Sequence, residues 1–241
     1  MRRGLALLLV AGCASVPPAE KAREHYRQGF MYLQMGDDAK AEAEFLKAAR
    51  LDTTFAEAYC RLGMIYAARK DYAKASENLQ RALRLNPKYA EAHYYYALVI
   101  MEQGDTARGI GELEAAVESD STHIPSVELL AQLYAQGGEY EKAYPLWKRI
   151  AQRRTDPNTL YTFGSIALMT GHYDEAAEAA HKALQQADTP DLHLLLAYAL
   201  AQQGRYTEAA LEARVAAAGF RKAGRDEDAA KAENLLKMLK K

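Results

Sequence analysis

Two cysteines, one tryptophan and seven prolines in 241 residues set the first limits on this chain. With only Cys13 and Cys60, no disulfide framework can staple the fold. The net charge is −1, and both signs are interspersed. No basic stripe therefore marks a nucleic-acid face, and no nucleic-acid partner is expected. The N-terminal apolar run, Leu5 to Val10, falls far short of the roughly 20 residues that a membrane-spanning helix needs. His25, His93, His123, His172, His181 and His193 show no metal-ligand spacing with cysteine or acid. No catalytic constellation emerges, so the chain reads as a non-enzyme without cofactor, metal or small-molecule substrate.

What the sequence does have is repetition. Gly29, Gly63, Ala97, Ala131, Gly164 and Ala197 recur at intervals of 33 to 34 residues. Ala41, Ala75, Gly109, Ala143, Ala176 and Ala209 follow twelve positions behind. A period of that length marks helix pairs that cannot bury their apolar faces alone and share one core when stacked. The two small-residue series are expected to face each other inside each pair, where a larger side chain would force the helices apart. Gly36, Gly104, Gly138, Gly171 and Gly204 are placed to end first helices, with Lys70 standing in that position in the second copy. Pro87, Pro157 and Pro190 mark starts of, or approaches to, the next pair. Trp147 holds the bulky position that Phe45 holds in the first copy, and it reads as packing. Cys60, inside a helix, reads as a small buried hydrophobe. Among the charges, Glu42 has no basic partner four residues away on its helix, whereas Glu77 has Arg81.

The second copy carries Tyr59, Leu62-Gly63, Tyr66, Tyr72, Ala75, Leu79, Ala82 and Asn86-Pro87. This series resembles the tetratricopeptide repeat, W-x2-L-G-x2-Y followed by A, F, A and P. The resemblance implies an all-α fold: a right-handed superhelical solenoid of six repeats in one domain. The copies span 22–55, 56–89, 90–123, 124–156, 157–189 and 190–223. The remainder, 224–241, reads as a capping helix with an apolar stripe of Ala229, Ala232, Leu235, Leu236 and Leu239.

In that family, positions 2, 5, 9, 12 and 13 of each first helix line the concave face. The resemblance therefore implies a partner-binding groove of Tyr26, Phe30, Leu33, Met64, Tyr94, Leu98 and Met101, an apolar and aromatic trough with acidic edges. Cys60 falls on the same face by register. Family members that clamp a terminal carboxylate carry Lys and Asn where Tyr26 and Phe30 stand, so that activity is not expected. An apolar trough with methionines suits an amphipathic segment of a protein partner.

The N-terminus, MRRGLALLLVAGC, has the basic start, apolar middle and small-residue cleavage site of a secretory signal. Val10-Ala11-Gly12-Cys13 resembles the bacterial lipobox. That resemblance implies a signal peptide over 1–12, an acylated Cys13 carrying diacylglycerol and palmitate, and a tether over 13–21 made extended by Pro17-Pro18. Ala14 after the cysteine implies the periplasmic face of the outer membrane, with the acyl chains as the membrane contact. A lipobox, six such repeats and a terminal cap together resemble the type IV pilus pilotins of the PilF/PilW/Tgl kind. These promote assembly of the secretin ring, so the implied partner is a secretin subunit. Two other roles stay open: a scaffold for peptidoglycan hydrolases, and a subunit of the machinery that inserts outer-membrane β-barrels.

Overall fold

The computed structural model describes residues 17–239. The leader, the lipobox and Cys13 lie outside them. The described residues form thirteen α-helices and no strand. They fall into two compact units that divide between Glu112 and Leu113. The first unit holds α1 (Pro18–Gln34), α2 (Asp38–Leu51), α3 (Ala56–Ala68), α4 (Tyr72–Leu85), α5 (Ala90–Glu102) and the first half of α6 (Thr106–Ser119). The second holds the rest of α6, then α7 (Ile124–Gln136), α8 (Tyr140–Arg153), α9 (Pro157–Met169), α10 (Tyr173–Leu184), α11 (Pro190–Gln202), α12 (Tyr206–Lys222) and α13 (Asp226–Met238).

Sequence-local chemistry sets the ends of these helices. All five expected terminator glycines, and Gly224 besides, take φ between 70° and 92°. Lys70 takes the same left-handed turn at φ 62°, the one non-glycine to do so among the described residues. Its turn closes as the glycine turn of the first copy does: the Asp71 N–H donates to the Tyr66 carbonyl at 2.9 Å, and the Asp37 N–H donates to that of Tyr32 at 2.9 Å. A left-handed residue with a Cβ costs roughly 1–2 kcal/mol, which the surrounding turn must offset. Second helices start on aspartates. Asp37, Asp71 and Asp105 accept from the N–H groups of Lys40, Lys74 and Arg108 at 3.1, 3.2 and 3.1 Å. Each such cap contributes about 1 kcal/mol.

The expected extended tether gives way at its C-terminal end. Pro18 opens α1, so residues 18–21 are helical. A proline at the first helical position needs no N–H partner and already has a helical φ, so the Pro-Pro pair starts a helix here.

The small-residue series pack as expected in two copies and differently in two others. A Cβ added at Gly109 would lie 3.2 Å from the Ala97 carbonyl, and one at Gly164 3.4 Å from that of Ala176. These are the close first-to-second-helix approaches that the register implies. At Gly29 and Gly63 the nearest obstacles are the Phe45 ring at 2.8 Å and Leu79 Cγ at 2.5 Å. There the glycine makes room for a large core side chain four positions further on, and both Phe45 and Leu79 are fully buried. Burying a side chain of that size stabilises the fold by about 2–3 kcal/mol.

Charged pairs tie successive copies together. Glu42, which lacks a basic partner on its own helix, accepts from the Tyr66 hydroxyl at 2.7 Å and from Arg69, both in the next copy. The Tyr66 hydroxyl, ahead of Arg69, holds the Glu42 carboxyl below its ordinary range. Arg81 reaches the Thr53 carbonyl and lies 5.8 Å over the Tyr59 ring. The sequence had paired it with Glu77 on its own helix; its contacts instead run to the preceding copy. In the second unit, α13 buries Ala229, Ala232 and Leu235 against a cluster of Ala197, Ala213, Ala216, Ala217 and Phe220.

Candidate partner-binding face

The first unit gathers the sequence-selected residues of copies one and two around a side chain that sequence reasoning passed over. Arg61 on α3 donates to both oxygens of Glu91, at 2.8 and 3.1 Å, across to the start of α5. Its Nε donates to the Tyr26 hydroxyl at 3.3 Å, and its guanidinium lies 5.7 Å over the Phe30 ring. The Met64 sulfur lies 4.0 Å from it. The Tyr89 hydroxyl also donates to Glu91, at 3.1 Å. Arg61 and Glu91 keep side-chain exposures of 16% and 25%, so the pair is largely withdrawn from water. Burial works against the Arg61 charge, but the Tyr26 hydroxyl and the Glu91 carboxylate outweigh it and raise its pKa.

This arrangement corrects the expected apolar trough with acidic edges. An ion pair lies within it, and the acids on its edges are engaged: Glu91 by Arg61, and Glu102 by the Tyr72 hydroxyl at 3.2 Å. Tyr26 is half-buried, tilted on Phe45 and Phe55 with ring centroids 5.4 and 5.0 Å away. Leu33 and Met64 are half-buried against the core of the first two copies. Phe30 stands out, 42% exposed. On α5, Tyr94, Leu98 and Met101 follow one helical face and are half-buried. Tyr94 packs edge-on to Tyr95 at 5.3 Å, and Met101 covers Gly109. Cys60 leaves the face altogether. It is fully buried, and desolvation, ahead of the Glu91 charge, pushes its thiol up to about 12, although its neighbour Arg61 acts the other way.

A second feature missed in the sequence is a histidine–glutamate pair 19 residues apart. The ring Nδ1 of His25, His93 and His193 meets Glu44, Glu112 and Glu212 at 2.6, 2.7 and 2.5 Å. In each case the pair joins the first helix of a copy to the second. Burial lowers the His93 pKa, but Glu112 and the Pro87 carbonyl together raise it above the ordinary value. The detectable signal was the recurrence of His and Glu at the same repeat positions, not a metal-ligand spacing. Among the described residues no group of three or more potential ligands could hold a metal ion. No helix of the described residues is long and apolar enough to cross a membrane.

Comparison with known proteins agrees with this architecture. Tetratricopeptide repeat models match residues 22–55, 56–89 and 161–227. A model for anaphase-promoting complex, cyclosome, subunit 3 matches 110–183. No curated protein matches the chain in sequence. Among solved structures, YrrB, a TPR protein with an unusual peptide-binding site, is similar at 17% identity. The match covers 79% of this chain and 97% of that one, with a TM-score of 0.64. The C-terminal part of a TPR repeat-containing protein from Cytophaga hutchinsonii matches at 19% identity over 89% and 95%, TM-score 0.56. PilW, a widely conserved type IV pilus biogenesis factor, matches at 19% identity over 86% and 96%, TM-score 0.52. At these identities the likeness is one of fold. The matched models, the helix pairs and the repeated glycine turns agree: this chain is a tetratricopeptide-repeat protein.

Proposed function

We propose that this chain is a non-enzymatic, lipid-anchored scaffold that acts as a pilotin, promoting assembly of the type IV pilus secretin at the outer membrane. Proteins of this repeat class bind protein partners, and the carrying observation here is Phe30. It is a large aromatic side chain left 42% exposed and held from behind by Arg61, next to half-buried Met64 and Leu33. A rigid aromatic over a buried ion pair is the kind of anchor that dominates binding energy at protein interfaces. The lipobox at Cys13 and the similarity to PilW support the pilotin role over other scaffold roles. On this reading the secretin segment lies across Phe30, Met64, Tyr94 and Leu98, and the acyl chains keep the complex at the periplasmic face of the membrane.

The test is a gel of SDS-resistant secretin multimers from cells with and without the gene. Loss of multimers with secretin monomer still present supports the role. Intact multimers remove it, and crosslinking would then ask for hydrolases or β-barrel machinery as the partner.

A further inference from the structure

The second unit contains a hollow that packing alone does not explain. It lies between the fourth and fifth copies, encloses about 140 Å³, and is lined by Glu128, Gln132, Trp147, Arg154, Asn158 and Thr162 among others. That is several times the roughly 30 Å³ that one water takes in the liquid. Trp147 is 8% exposed, and its indole nitrogen is buried without a hydrogen-bond partner among the described residues. Buried indole N–H groups ordinarily find an acceptor. Copy one carries Phe45 in the same register and fills the same core position with no donor at all. The fourth copy thus adds one polar group to a packing residue and sets it beside a cavity.

The rest of the lining defines what fits. Glu128 and Arg154 form an ion pair, so they neutralise each other. The Thr162 hydroxyl is committed to the Asn158 carbonyl at 3.0 Å. Gln132 and Asn158 present exposed side-chain carboxamides. A carboxylate entering here would meet Glu128, and an ammonium would meet Arg154. A hydrocarbon would leave the indole N–H unpaired. An uncharged group that both accepts and donates satisfies every wall.

We propose that this hollow is a specificity pocket for an uncharged carboxamide, the side chain of a glutamine or asparagine in a bound peptide. Its oxygen accepts from the Trp147 N–H, and its NH2 donates to the oxygens of Glu128 or Gln132. The proposal rests on the protein-binding reading above and adds a residue preference to it, in copies distant in sequence from Phe30.

Trp147 is the sole tryptophan, so a 15N-labelled sample of the chain gives one indole signal to follow. The probes are N-acetylglutamine amide, N-acetylglutamate amide and N-acetylleucine amide, which share their backbone groups and differ only in the side chain. The glutamine probe should move the indole proton in a saturable way, with a dissociation constant on the order of millimolar. The other two should bind at least about tenfold more weakly. Trp147→Phe, which restores the residue type of copy one, should abolish the shifts that the probe causes at the Gln132 and Asn158 side-chain signals. Gln132→Leu, which keeps the indole, should weaken binding at an unchanged melting temperature. An indole signal unmoved at about 100 mM probe, one moved equally by the leucine probe, or undiminished binding by Trp147→Phe would overturn the proposal. No secretin enters this titration, so its outcome is independent of the multimer gel.

Discussion

Exchange of Arg61 for methionine would leave the Glu91 carboxylate facing the ring of Phe30 and the hydroxyl of Tyr26, with Tyr89 as its remaining donor. Removing one member of a fully buried ion pair typically costs about 3–5 kcal/mol, because the other charge stays desolvated. Here the side chains retain 16% and 25% exposure, and Tyr89 still donates at 3.1 Å. The expected cost is therefore smaller, about 2 kcal/mol. Replacing both residues, Arg61→Met with Glu91→Leu, removes the charge problem and should land within about 1 kcal/mol of the parent. Urea unfolding followed by circular dichroism measures all four proteins, and unchanged slopes would keep the comparison valid. The double variant should be more stable than the sum of the single losses implies, giving a coupling of about 1–2 kcal/mol. Strict additivity would refute the pair, and with it the claim that Arg61 organises this face.

Three further outcomes follow from the geometry. Lys70→Gly should stabilise the chain by about 1 kcal/mol, since glycine removes the penalty of φ 62°; a melting temperature that falls would contradict the turn assignment. The His93 pKa is raised in the folded chain, so its contribution is fully present below about 6.5, the ordinary value, and is lost as pH rises through the folded one. The stability difference between parent and His93→Gln should therefore shrink from pH 5.5 to pH 8.5 in thermal melts, and a difference that grew would reverse the sign. Cys60, with its thiol pushed up to about 12 and its side chain fully buried, should resist a disulfide reagent at pH 8 in the native chain and react after unfolding in urea.

The fold was readable because the repeat writes its rules in single residues. Glycine at a left-handed turn and small residues at close helix approaches are demands that few other side chains meet, so five terminators could be placed by spacing alone. The Lys70 turn was readable for the same reason: its neighbours keep the register although the residue breaks it. Less of the candidate face could be read. Register says which positions point inward, but it does not say how deep a side chain sinks. Cys60 lies in the register of the face yet is buried, and Tyr26 is half core because Phe45 and Phe55 lie within reach of its ring. Arg61 was missed because its partners lie 30 and 35 residues away, in the neighbouring copies. A search restricted to neighbours on one helix cannot see it, and it mispaired Arg81 for the same reason. The start of α1 was misread because Pro-Pro suits both an extended tether and a helix N-terminus.

The central claim is that a protein partner is held across Phe30, and the direct measurement is the affinity of purified secretin for the parent and for Phe30→Asp. Phe30 is exposed and packs on a guanidinium rather than in the core, so the variant should melt with the parent. The account expects binding to weaken about 30-fold or more, the loss of an anchor contributing at least about 2 kcal/mol. Equal affinity for the two proteins would contradict it.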